Sequence, residues 1–162
     1  MSTPFPISVL LDNIRSAYNV GSFFRTCDGA GVSKLYLTGY TPHPPRRDIT
    51  KTALGADTSV PFEYASDPVE KVQKLKVEGM IIVAVETGPE SVEFSTFAYP
   101  YPCCLIFGNE VEGIRPEILE LCDARVRIPM HGMKGSLNVV VSAGVIIYDA
   151  VTKYLRSHGE VV

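Results

Sequence analysis

Tryptophan is absent from this chain of 162 residues, histidine occurs three times and cysteine four times. Each scarcity excludes something. His43, His131 and His158 lie far apart, in segments that read as loops or tail, so no pair stands at metal-ligand spacing. Cys27, Cys103, Cys104 and Cys122 form no CxxC pair and read as buried thiols of a reducing compartment, with redox or metal roles as the alternative. No metal is expected. Cys103 and Cys104 stand side by side in an apolar run, and on a strand they would face opposite sides of a sheet. No apolar stretch approaches the ~20 residues that span a bilayer. The nearest, Val139 to Tyr148, is short and carries Ser142 and Gly144. The opening MSTPFPISVLLDN lacks the basic region of a signal peptide, which points to the cytoplasm. Basic residues are outnumbered 15 to 18, for a formal charge of −3, whereas a nucleic-acid enzyme usually leans on a basic footprint. The one local basic stretch is Pro42-His43-Pro44-Pro45-Arg46-Arg47.

Nucleotide signatures are missing too. Gly29-Ala30-Gly31-Val32-Ser33-Lys34 begins like a GxGxxG fingerprint, but it has Lys at the third glycine and closes a helix instead of opening one. There is no Walker A loop and no nucleophile elbow.

What is present is a 46% hydrophobic, 20% charged composition suited to one globular domain over residues 1–162, with no repeat, low-complexity tail or linker. Strand-like and helix-like segments alternate, the mark of an α/β fold with a mostly parallel sheet flanked by helices. Ile7 to Leu11 reads as a strand and Asn19 to Gly31 as a helix closed by Gly29 and Gly31. Lys34 to Thr38 reads as a strand, Gly39 to Asp48 as a proline-rich loop, Thr50 to Leu54 as a short helix and Val60 to Phe62 as a strand. Asp67-Pro68-Val69-Glu70 has the cap, proline and glutamate of a helix start. Met80 to Val85 and Cys103 to Phe107 are continuous apolar runs, as in strands covered on both faces. Pro116 to Cys122 reads as a helix and Arg125 to Ile128 as the last strand. Leu137 to Tyr148 is β-branched enough for a strand, yet its continuation through Tyr154 and Leu155 to Arg156 suits a helix. A helix apolar nearly all round needs a partner on every side, and a second subunit would supply one.

Three polar constellations remain at the ends of apolar segments. The first is Asn19-Val20-Gly21 with Arg25-Thr26. The second is Phe107-Gly108-Asn109-Glu110-Val111-Glu112-Gly113, a glycine-bounded loop directly after a buried run. The third is Ile128-Pro129-Met130, a glycine-rich loop, and Ser136-Leu137-Asn138. Open α/β sheets bind ligands outside the carboxyl ends of their strands. Ile128, Met130 and Leu137 could clamp a flat base there.

LLDNIRSAYNVGSFFRTCDGAGV, CLIFGNEVEGI and IPMHGMKGSLNVVVSAG resemble, in order, the three motifs of the SpoU/TrmH branch of SPOUT RNA methyltransferases, and Thr50 to Ala56 resembles a further stretch of that branch. Together they cover most of the chain. The resemblance implies a C-terminal trefoil knot, one of the rare exceptions to un-knotted topology. It also implies S-adenosylmethionine held in the knot, and a homodimer with composite sites. It makes Arg25 the catalytic arginine, Asn19 the asparagine of the first motif, Glu110 the glutamate of the second, and Ser136 and Asn138 the polar pair of the third. It assigns the cofactor to Val85, Glu86, Thr87, Gly108, Asn109, Gly113, Ile128, Met130, Ser136 and Leu137 and RNA contact to Arg25, to which the local basic stretch adds Arg46 and Arg47. One departure is visible: the family commonly reads VSVAAG after the asparagine, and here Val140 and Ser142 exchange the small polar position.

Methyl transfer to a ribose 2′-hydroxyl asks chiefly for alignment, exclusion of water and stabilisation of a developing alkoxide. The family proposal makes the arginine a general base. A guanidinium with pKa above ~12 is better suited to fork onto phosphate and hydroxyl while phosphate or water takes the proton. Simpler roles stand beside these: Asn19 and Ser136 suit helix caps, Glu110 suits holding its own loop through backbone N–H groups, and Arg46 and Arg47 suit a solvated surface. A non-catalytic RNA-binding or cofactor-sensing protein, or a base methyltransferase, would use the same scaffold. The implied RNA is tRNA more than rRNA. With about six residues before the first strand and few after the last helix, an acidic minimal dimer is expected to call on a helper protein to hold it.

Overall fold

The computed structural model describes residues 3–160. Strand β1 (Phe5–Asp12) leads through helix α1 (Ala17–Ala30) to β2 (Val32–Thr38), and helices α2 (Arg47–Ala53) and α3 (Ala56–Ser59) precede β3 (Phe62–Ala65). Helix α4 (Pro68–Val77) leads to β4 (Ile81–Val85) and β5 (Val92–Glu93), followed by a 3-10 turn at Phe94–Thr96. Then come β6 (Cys103–Phe107), α5 (Pro116–Leu119), β7 (Ala124–Arg127) and α6 (Val139–Ser157).

The seven strands lie in the order β3-β2-β1-β6-β4-β7-β5. Every pairing is parallel, so all carboxyl ends share one edge. The chain first steps outward from β1 to β3, then crosses back to build the other half, with β6 inserted between β1 and β4. Such a reversal opens a crevice at the carboxyl edge.

Alternation along the strands makes two cores. Ile7, Val9 and Leu11 of β1 join Cys103, Leu105 and Phe107 of β6 under α1, α2 and α6. Leu10, Cys104, Ile106, Ile82 and Ala84 face the other way, under α4 and α5. Cys103 and Cys104 therefore do point to opposite faces, and burial pushes each thiol up to about 12, leaving them protonated and inert. Phe23 packs edge-on against Phe107 at 5.3 Å between ring centroids, and both are buried. Truncating such a ring to alanine costs about 3–5 kcal/mol.

Helix ends follow local chemistry, with some shifts from expectation. Helix α1 starts two residues before Asn19, because Ser16 is the N-cap and accepts from the Asn19 N–H at 3.2 Å. Gly31 ends it in the left-handed conformation. Asp67 caps α4 as expected, accepting from Glu70 N–H. The loop after β2 is shorter than the prolines suggested, for α2 begins at Arg47 with Arg46 as its N-cap residue, and Leu54 leaves it left-handed. The third strand runs 62–65, later than expected, set by pairing of Leu35 with Phe62 and Thr38 with Ala65. Helix α5 stops at Leu119. Strand β5, two residues held to β7, had no sequence signal.

The β-branched C-terminal run is helix. Asn138, not Ser136, is its N-cap, accepting from Val140 N–H at 2.9 Å. Ala143, Ile146, Ile147 and Ala150 enter the core, while Val141 and Tyr148 stay about half exposed, at 53% and 48%.

Candidate active site

Three loops at the carboxyl edge meet through one dipeptide. After β6 the chain folds back on itself, Asn109 and Gly113 exchanging backbone hydrogen bonds of 3.1 and 2.9 Å. Gly108 makes this possible: a Cβ there would lie 2.3 Å from the Gly113 carbonyl carbon and the Ile114 nitrogen. Gly113 is left-handed and rests against Glu86, whose carboxylate accepts from the N–H groups of Ile114 at 2.9 Å and Thr87 at 3.0 Å. Asn109 is buried and fully used. Its Oδ1 accepts from Val111 and Glu112 N–H, and its Nδ2 donates to the Asn13 carbonyl and the Tyr40 hydroxyl.

Glu110 reaches the β1–α1 loop. It accepts from the backbone N–H of Arg15 at 3.0 Å and Ser16 at 3.2 Å, and from Asn19 Nδ2 at 3.0 Å. Partial desolvation pushes this carboxyl up, but the hydrogen bonds from Arg15, its own backbone, Asn19 and Ser16 outweigh that and hold it below the usual range. Glu110 was expected to hold its own loop; its side chain instead accepts from a loop more than 90 positions away in sequence. Behind it, buried Asp12 takes a two-point hydrogen bond from Arg115, anchoring the far end of the folded-back loop to β1.

The ends of β4, β6 and β7 surround a cavity of about 410 Å³, a size suited to a small ligand. Its wall contains Val85, Glu86, Thr87, Gly108, Asn109, Gly113, Ile128, Ser136 and Leu137, together with Glu110 and Asn138. Met130 lies outside it. Phe107, Glu112 and Ser142, which lie within the quoted motifs but were not assigned to the cofactor, also line the wall, and so does Arg127, which only its adjacency to the third motif could have flagged. Three glutamates against a single arginine give the wall an acidic balance.

Arg25 stands elsewhere. It lines a separate cavity of about 600 Å³ with Ser22, Thr26, Lys51, Thr52, Leu54, Gly144 and Tyr148. Asn19 and Arg25 are six positions apart on α1, which places them on different sides of a 3.6-residue helix. Asn19 lines a third cleft with Arg15, Ser16 and Glu110. Arg46 is exposed and 3.6 Å from Asp48, and Arg47 lies in a neighbouring cleft on α2. Lys51 was missed as a site residue, although it sits in the TKTALGA stretch.

The sheet and its edge cavity define an α/β protein with a small-molecule cleft at the carboxyl ends of its strands. Within that class the chain belongs to the SpoU rRNA Methylase family, which matches residues 6–148. It is 39% identical over 143 residues, 88% of this chain and 67% of the relative, to a tRNA (guanosine(18)-2′-O)-methyltransferase of Aquifex aeolicus. The crystal structure of the A. aeolicus TrmH/SpoU tRNA modifying enzyme superposes with a TM-score of 0.87 at 34% identity, covering 97% of this chain and 79% of that one. A SpoU methyltransferase of Streptomyces viridochromogenes, solved in complex with the cofactor AdoMet, gives 0.86 at 25% identity, covering 96% and 62%.

Proposed function

We propose that the protein is an S-adenosylmethionine-dependent ribose 2′-O-methyltransferase of tRNA, acting as a homodimer in the cytoplasm, built as a single domain with its C-terminal segment threaded as a trefoil knot. The observation that carries this reading is the cavity formed by the ends of β4, β6 and β7, joined through Glu110 to the β1–α1 loop. The residues present fit the cofactor. Gly108 and the left-handed Gly113 let the folded-back loop close tightly and present its backbone to the cavity, Val85, Ile128 and Leu137 offer apolar surface to an adenine ring, and the acidic balance suits a sulfonium. S-adenosylmethionine would supply a methyl group on sulfur, with loss of its positive charge on transfer.

The acceptor side is basic where the cofactor side is acidic. Arg25 and Lys51 line their cavity without any carboxylate. Arg25 forks onto the phosphate and 2′-hydroxyl of the target nucleotide, lowering the cost of the developing alkoxide, while a phosphate oxygen or water takes the proton. Asn19 and Glu110 hold the loop that starts α1, and Ser136 and Asn138 orient the groups at the cofactor wall. Within one chain Arg25 and Asn138 share no cavity, which supports a reading in which a second copy brings them together. The half-exposed Val141 and Tyr148 of α6 offer the apolar face for it, and Tyr148 also lines the Arg25 cavity. An overall charge of −3 is the reason a helper protein belongs to this reading. The tRNA-modifying relative at 39% identity favours tRNA, and the family's own description keeps rRNA as the second reading.

Transfer of tritiated methyl to unfractionated tRNA and to rRNA, followed by mapping of the labelled nucleotide, tests the proposal. Label on a ribose of tRNA is expected, with turnover largely lost in Arg25→Lys. Label on a base, or cofactor binding without transfer to either RNA, would overturn it.

A further inference from the structure

Beside the Arg25 cavity lies a cleft of about 550 Å³ lined by Tyr18, Arg47, Asp48, Thr50 and Lys51. The two cavities share Lys51, so the cleft opens directly off the acceptor site. No residue of α6 lines it, so it lies away from the face assigned to the second copy. Tyr18 is 49% exposed although it belongs to a helix whose other aromatics, Phe23 and Phe24, are buried. Arg47 and Lys51 stand one turn apart on α2, and neither forms an ion pair among the described residues. The one carboxylate of the cleft, Asp48, is turned to Arg46 at 3.6 Å.

The cleft is rigidly built. Thr52 donates to the Tyr18 carbonyl at 2.8 Å, clamping α2 to the first turn of α1. Gly21 lets the helices close. A Cβ there would meet Thr52 Oγ1 at 2.0 Å and the Ile49 carbonyl at 2.4 Å. Tyr18 is therefore anchored through its backbone in the same cleft as two cations without ion pairs among the described residues, an arrangement suited to a base and its phosphate. Aromatic stacking with phosphate contacts is how proteins grip single-stranded RNA without reading sequence.

We infer that this cleft binds the nucleotide flanking the methylated one, its base stacked on Tyr18 and its phosphates on Arg47 and Lys51. The inference rests on the RNA-methyltransferase reading above. It implies that the target lies in a loop or is unstacked on binding, since a paired base has no free face to offer.

The test uses full-length protein with two probes, unfractionated tRNA and a fluorescein-labelled single-stranded RNA of about twelve nucleotides, a length within the site sizes of such grooves. Tyr18→Ala should weaken RNA binding roughly tenfold or more, whereas Tyr18→Phe keeps it and both retain the affinity for S-adenosylhomocysteine. Lys51→Ala and Arg47→Ala should each flatten the slope of log affinity against log salt by about 0.7–0.9, while Tyr18→Ala leaves the slope alone. RNA binding by Tyr18→Ala at wild-type strength, or equal loss in Tyr18→Phe, would overturn the inference while methyl transfer by the wild type still upheld the activity. A wild type that neither binds nor methylates RNA would overturn both.

Discussion

Replacing Gly108 by alanine probes the cofactor wall at its tightest point. The added carbon would sit 2.3 Å from two backbone atoms, where ordinary contact begins near 3.4 Å, and backbone cannot swing aside as a side-chain tip does. The 113–114 segment must retreat by about 1 Å, a displacement large for a packed interior. That strains the Asn109–Gly113 exchange and the Ile114 N–H bond to Glu86. Overpacking of this kind costs about 1–3 kcal/mol, or roughly 2–12 °C in melting temperature for a chain of this size. The same movement displaces the wall built by Gly108, Asn109 and Gly113, so affinity for S-adenosylhomocysteine, read by titration calorimetry, should fall at least about tenfold. Gly135→Ala, where a Cβ meets nothing within 4 Å, is the control and should melt like the wild type. Wild-type affinity together with wild-type melting in Gly108→Ala would refute the close-approach argument.

Composite sites predict complementation. Mixed Arg25→Ala and Asn138→Ala subunits, each inactive alone, should recover about a quarter of wild-type methyl transfer through the intact site of each heterodimer, whereas no recovery would place both residues in one subunit's site. Val141→Asp should convert the proposed dimer to monomer in light scattering and abolish transfer. Glu110→Gln removes a carboxylate held below its usual range. Its contribution is complete above the unfolded value of about 4.3 and is lost as pH falls through the lower folded value. Solvent screening keeps the gain to about 1 kcal/mol or less, so urea melts of variant and wild type should differ at pH 7 and converge in acid. Asp12→Asn leaves Arg115 without its counter-charge. Because Arg115 is a third exposed, the loss should be about 2 kcal/mol, below that of a fully buried pair, visible in the same melts.

Local chemistry was legible where it was strong. Asp67-Pro68 announced α4, and the continuous runs 80–85 and 103–107 announced central strands. The C-terminal run defied β propensity because its apolar residues find partners in the core at helical spacing, as Ala143, Ile146, Ile147 and Ala150 do. Ser16 was legible in principle, as a serine just before α1, but Asn19 drew attention as the motif residue. The site was legible as three segments and not as an arrangement. Nothing in the order of residues says that Glu110 serves a backbone at positions 15 and 16, that Asp12 meets Arg115, or that Met130 falls outside the cavity. Those facts are set by strand order, with β6 laid beside β1 from nearly a hundred positions away.

Asn109 and Glu110 line the cavity proposed for the cofactor, yet their side chains hold Asn13, Tyr40, Arg15, Ser16 and Asn19, in the segments that follow β1 and β2. Two ligand sites that share a wall share its free energy of ordering. Whatever the first ligand spends in stilling that wall the second is spared, and by linkage the advantage is equal in both directions. If the proposed sites hold, the dipeptide would make affinity for RNA a function of cofactor occupancy. An exhausted donor would loosen the enzyme's hold on the very strand it has just modified only in so far as its own grip on the wall differs from that of the fresh one.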